Sequence, residues 1–159
     1  MSTSEMSLWQ FALSLWKRPG VERAALVLQD QHGVSVCLAL AGLWLCRRDV
    51  LPDAGLAEAM TDTARAWEQQ RVAPLRGLRR QAAARNDWGD WRRLLQEAEL
   101  EAERLLLLEL EALLQARPVP RGEAEPLSWL VLMLPDAARC ESLSEALDTL
   151  IEAAQRSDS

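Results

Sequence analysis

The sequence predicts an all-α fold: a compact bundle of six or seven helices around a central apolar helix at about residues 34–46, with a C-terminal helical appendage. Three observations carry this expectation. Leu, Ala, Glu and Arg dominate the chain, and β-branched residues are scarce, so local preference favours helix almost throughout. Apolar residues recur at i, i+3, i+4 and i+7 in segment after segment. The run between Gly33 and the pair Arg47–Arg48 is apolar on every side, the pattern of a helix surrounded by other helices.

The first helix is expected from about Ser4 to Lys17, with Leu8, Phe11, Ala12 and Leu15 on one face and Trp9, Leu13 and Trp16 widening it. Pro19 and Gly20 break it. A second helix, about Val21 to Gln31, stops at His32–Gly33, where Gly33 can take the left-handed conformation. The third is the apolar run itself. Its 13 residues from Val34 to Cys46 span about 20 Å as a helix, against the ~20 residues a bilayer requires, so it reads as core and not as a membrane span.

Asp53 is a suitable N-cap for a fourth helix from about Leu56 to Arg71. Pro74 is expected to kink or restart the chain, and the stretch PLRGLRRQAAAR (74–85) reads as a further helix with Leu75 and Leu78 inward. A turn at 86–90 leads into a long helix from about Asp90 to Ala116, expected to turn Trp91, Leu94, Leu95 and Ala98 inward and its acidic residues outward. Its second half, RLLLLELEALL, should be buried on two faces or meet another chain.

Residues 1–116 thus read as the helical domain. The stretch RPVPRGEAEP (117–126) reads as a linker, and 127–159 as a helical segment packing on or near the same domain. For LSWLVLMLP (127–135), periodicity leaves strand and helix open. Ser142 with Glu145 forms a capping-box pattern ahead of a last amphipathic helix to about Gln155, and the tail RSDS should fray.

A net charge of −6 disfavours non-specific binding to DNA. The N-terminus has no basic region ahead of its apolar residues and carries Glu5 early, so it does not read as a secretion signal. Cys37, Cys46 and Cys140 show no metal-site spacing. Cys37 and Cys46, nine residues apart on a helix, point to opposite sides, and the odd count fits a reducing cytoplasm.

The most distinctive charged segment is 65–93. Its eight arginines face only Glu68, Asp87 and Asp90, with tryptophans among them. Arg76, Arg79 and Arg80 share one helical patch, and Arg71, Trp67 and Trp88 complete a candidate face for a protein partner or an anion. Nucleic acid is the less favoured occupant. The competing expectation is that these arginines pair with the acidic helix that follows at 97–111.

Trp9, Trp16 and Trp44, with Gln29 and Asp30, are candidates for lining an apolar ligand pocket. Core packing, with Gln29 and Asp30 serving the indole N–H groups, is the plainer alternative. His32 is the only histidine and has a turn-forming role available to it. The pairs Glu97/Glu101 and Glu99/Glu103 have i, i+4 spacing but lack the Glu-x-x-His partner of helical metal sites. No catalytic group, metal site or cofactor motif can be assembled, so an enzyme is unsupported.

LWQFALSLW (8–16), RPGV (18–21), LQDQHGV (28–34), LWL (43–45), Trp67 and PLRGLRR (74–80) together resemble the bacterial family called domain of unknown function 2390, over roughly residues 7 to 115. The family pattern often has Asp and Asn where this chain has Ser35 and Cys37, so the resemblance implies no ligand role for that helix start. It implies a small bacterial helical protein with no established activity and transfers no catalytic residues. The leading expectation is a non-enzymatic interaction or regulatory module in the cytoplasm, binding a protein partner or itself through the arginine face or the leucine-rich helix. A small-molecule binder with a tryptophan-lined pocket and a binder of RNA or another polyanion are the alternatives.

Overall fold

The computed structural model describes residues 6–134 and 141–156. The described chain is all α. In order, its helices are α1 (Leu8–Trp16), α2 (Val21–His32), α3 (Val36–Arg47), α4 (Ala54–Trp67), α5 (Ala73–Ala83), α6 (Gly89–Gln115), α7 (Pro126–Met133) and α8 (Glu141–Arg156).

The helix starts follow local chemistry. The Oγ of Ser7 accepts from the Gln10 N–H while the Gln10 side chain accepts from the Ser7 N–H, a capping box that begins α1 at Leu8 and not at Ser4. Ser4 itself lies outside the described residues. Ser35 caps α3 through the Leu38 N–H, and Asp53 caps α4 through the Leu56 N–H at 2.8 Å. Gly33 ends α2 at φ 62°, the left-handed conformation the sequence predicts there.

α3 is the axis of the bundle. Every residue from Cys37 to Leu45 is buried, and α1, α2, α4, α6 and α7 all touch it. Gly42 lets α7 approach closely: a methyl group there would lie 3.3 Å from Leu130 Cδ2 and 3.4 Å from Met133 Sδ. Cys37 and Cys46 are free thiols, while Cys140 lies outside the described residues.

The segment LSWLVLMLP resolves as helix over Pro126–Met133, with Trp129 and Leu130 fully buried. α7 packs on α3 and α8 packs on α2, so their apolar residues join the same core as α1–α4 and α6. Residues 117–126 are tied down as well. Val50 and Arg121 form an isolated antiparallel bridge, flanked by hydrogen bonds from Leu51 N to Pro120 O and from Gly122 N to Asp49 O. α8 begins at Glu141, which places Ser142 inside its first turn and not ahead of it. Its Oγ lies 2.8 Å from His32 Nε2 and so joins α8 to α2. Of the RSDS tail, Arg156 ends α8 and 157–159 lie outside the described residues.

Pro74 does not restart the chain. The helix continues from α4 to α5 through a π turn, Glu68–Val72, in which the Ala73 N–H reaches back five residues to Glu68 O. Pro74 lacks an N–H and its ring crowds the carbonyl a turn earlier; a widened turn just ahead of it relieves both. The extra residue has a second effect. A regular helix would carry the inward face of α4 on to positions 71, 75 and 78. The π turn advances that face by one residue, so Val72 and Ala82 are buried and Arg76 and Arg79 turn toward α6, while Leu78 is exposed.

α6 has a matching surprise. Its inward face runs Leu95, Glu99, Ala102, Leu106, Leu110 and Leu114, whereas Trp91 and Leu94 are exposed and Ala98 is only half-buried. In the leucine-rich half, Leu106, Leu107 and Leu110 are buried, and Leu105 and Leu108 remain exposed.

Candidate functional site

The shifted register of α5 and the charged position in the α6 face meet. Glu99, the one buried charged residue among the described residues, accepts from Arg76 Nε at 3.1 Å on one carboxylate oxygen and from Arg79 Nε at 2.6 Å on the other. Arg76 also lies 3.9 Å from Glu68, at the start of the π turn, and 3.9 Å from Glu103, one turn further along α6. The result is a partly buried network of three carboxylates and two guanidinium groups, in which Glu99 holds the short contacts.

The carboxylates it leaves over are perturbed. Burial, with the neighbouring charges of Glu99 and Glu68, pushes Glu103 up to about 7 against the partial opposition of Arg76 and Arg79. Burial also raises Glu68, opposed by Arg76 and by the Ser35 hydroxyl. The Cys37 thiol beside Glu103 is pushed up well above its ordinary value, chiefly by burial, which makes it a poor nucleophile.

Two concavities flank this network and share Gln29 and Glu68 as walls. The larger, a cleft of about 720 Å³, opens beside His32 and Ser35 and also meets Arg65, Arg76 and the side chains of Met133 and Leu143. The smaller, a slot of about 170 Å³ between α1, α2 and α6, is mostly apolar, with Trp9, Trp16, Leu13 and Leu100 at its walls. Its only charged lining residues are Glu68 and Glu103; the arginines of the network lie behind them.

The residues singled out from the sequence are distributed as follows. Trp9, Trp16 and Gln29 come together in the slot. Trp44 does not; it is buried in α3 and donates its indole N–H to Met6 O at 2.9 Å. Asp30 faces away and pairs with Arg80 at 2.9 Å. The described indole donors use backbone carbonyls and not Gln29 or Asp30: Trp67 bonds Ala102 O and Trp129 bonds Val50 O.

Along the arginine segment, Arg76 and Arg79 point into the protein. Arg71 lies over the Trp67 ring at 4.1 Å, and Arg85, paired with Asp87, lies over the Trp88 ring at 4.6 Å. Arg93 lies near Asp90 and Glu97. Most of the segment's positive charge is therefore met within the chain. Sequence reasoning weighs Glu103 only as the Glu99/Glu103 pair at metal-site spacing and does not single out Glu68 as a site residue. The one available signal was Glu99, a charge placed in register with Leu95, Ala102 and Leu106.

Among the described residues, no group of three or more His, Cys, Asp or Glu side chains is arranged to hold a metal ion, and no helix is long and apolar enough to cross a membrane.

A family model described as "Protein of unknown function (DUF2390)" matches residues 7–110. No curated protein and no solved structure matches the chain. Every residue lining the slot falls inside the matched segment, whereas the cleft draws Met133, Leu134 and Leu143 from beyond it.

Proposed function

The chain belongs to the DUF2390 family of proteins of unknown function, and from that premise we propose that it is a binding protein for a small, largely apolar ligand held in the slot between α1, α2 and α6. The observation that carries this reading is the slot's composition: two indoles and several leucines around a space with carboxylates at its inner wall. Ligand sites commonly combine apolar walls with a few convergent polar groups, and perturbed titratable groups beside such a space strengthen the case. The size bounds the ligand. An apolar cavity of about 150 Å³ takes benzene, so 170 Å³ suits a single ring or a short alkyl group. Nothing in the arrangement calls for a reaction.

The slot rim also explains exposed apolar surface. Leu13, Trp16, Leu26 and Leu100 are all more than 40% exposed, an expense in a folded chain unless something is bound there. In a titration with toluene followed by NMR, the indole N–H signals of Trp9 and Trp16 should shift saturably while that of the fully buried Trp129 stays in place. Trp16→Ala, at an exposed position, should weaken this response without unfolding the protein. Absence of any saturable shift at Trp9 and Trp16 would contradict the proposal.

A second reading rests on Leu105 and Leu108, which α6 leaves about 40% exposed on its outer side. They favour a protein partner or a second copy of the chain packing on that helix. The arginine face supports partner or polyanion binding less well, because Arg76 and Arg79 are committed to Glu99 and Arg80 to Asp30.

A further inference from the structure

The charge on the walls of the slot narrows the ligand class. We propose that the slot takes a small organic ammonium ion, its apolar body between Trp9 and Trp16 and its charged head against Glu68 and Glu103. This inference rests on the reading of the slot as a ligand site and goes beyond it by naming the ligand's charge.

Three observations converge on a cation. The slot presents two carboxylates and no guanidinium, since Arg76 reaches Glu68 and Glu103 only at 3.9 Å and does not line the space. The network behind it is unbalanced, with Glu68, Glu99 and Glu103 against Arg76 and Arg79, and Glu99 holds both short contacts. Glu103 makes no hydrogen bond to any described residue through its carboxylate, so its oxygens are available to N–H donors. Indole faces beside carboxylates are the combination that recognises ammonium groups, through the negative face of the ring and through charge-assisted hydrogen bonds.

The groups around Glu103 set the pH behaviour. Glu68 faces it from the π turn, Glu99 from its own helix, Arg76 and Arg79 from α5, and the Cys37 thiol from α3; α1 and α2 bring no charged side chain to the slot. An ammonium ion binds the ionised carboxylates, so affinity should rise as pH increases toward mildly alkaline values and Glu103 loses its proton.

The test compares benzylamine with benzyl alcohol, probes of nearly the same shape, by calorimetry and NMR on the full chain at about pH 8, where Glu103 is mostly ionised and the amine is protonated. Benzylammonium should bind about tenfold more tightly than the alcohol, the scale expected of a partly desolvated charge-assisted contact. Glu103→Gln should bring the two within about twofold of each other. This variant removes a half-buried like charge and should fold; Glu68→Gln supplies an independent variant at the other carboxylate. Loss of the amine preference in either variant supports the assignment. Equal binding of the two probes to the unaltered protein, or a preference that survives both variants, overturns it while leaving the slot a ligand site. If neither benzyl probe nor toluene perturbs Trp9 and Trp16, the slot itself is not a ligand site.

Discussion

Replacing Glu99 with alanine should cost the protein about 3 kcal/mol of stability, the range for breaking a buried ion pair by removing one partner. Glu99 holds both short contacts to Arg76 and Arg79, and the three side chains are 10%, 14% and 24% exposed. Alanine would leave two guanidinium groups facing the apolar row of α6, with Glu68 and Glu103 as distant partners at 3.9 Å from Arg76. Coulombic attraction across such gaps offsets only part of the lost desolvation balance. Urea denaturation measures the effect. A loss below about 1 kcal/mol would place the three groups among solvated surface pairs. The triple change Glu99→Leu, Arg76→Leu, Arg79→Leu should recover most of the loss, because an apolar cluster of similar volume replaces a buried ion cluster at little net cost.

Trp129→Ala should cost about 4 kcal/mol, combining a large cavity with the loss of one buried hydrogen bond. Trp129 is fully buried, its N–H bonds Val50 O at 2.8 Å, and its neighbours Leu130 and Met133 close against Gly42 of α3. It therefore joins the C-terminal helices to the central one. Because their side chains belong to one core with α1–α4 and α6, the variant should unfold in a single transition at lower denaturant, with its slope unchanged. Two separate transitions, or a loss below about 1 kcal/mol, would mean that residues 117–156 form an appendage on an independently stable body.

Much of the architecture is legible in the residues because it depends on local signals. The all-round apolar run identifies α3 as the axis, and Asp53, Gly33 and the alternation of Leu56, Met60 and Trp67 mark helix ends and faces. The site is legible only in part, for a physical reason. Trp9, Trp16 and Gln29 belong to helices whose faces follow a regular period, so their convergence can be anticipated. Arg76 and Arg79 owe their places to the π turn before Pro74, which shifts the register by one residue and brings them onto Glu68, Glu99 and Glu103; period counting runs straight through it and puts Leu75 and Leu78 inward. Residue type alone groups Trp44 and Asp30 with the pocket. The contacts that separate them, Met6 O and Arg80, come from chain distant in sequence. A charged residue at a core position on a long acidic helix resembles its solvated neighbours until the helix opposite is known. That is why Glu99 stands out only beside α5.

The central claim is that α6, beside the π turn, holds a half-buried carboxylate at the wall of the slot that Arg76 and Arg79 offset only in part. Its most direct test is the titration of Glu103, followed through its side-chain carboxyl carbon by NMR. The expected midpoint is about 7, falling when benzylamine is added, because a bound cation favours the ionised form. By linkage, a folded-state value raised above that of the unfolded chain means that this group favours the folded state at acid pH, and that its contribution is lost as pH rises from about 4.5 to about 7. A midpoint near 4.5, unmoved by the amine, would show a solvated carboxylate and contradict the account.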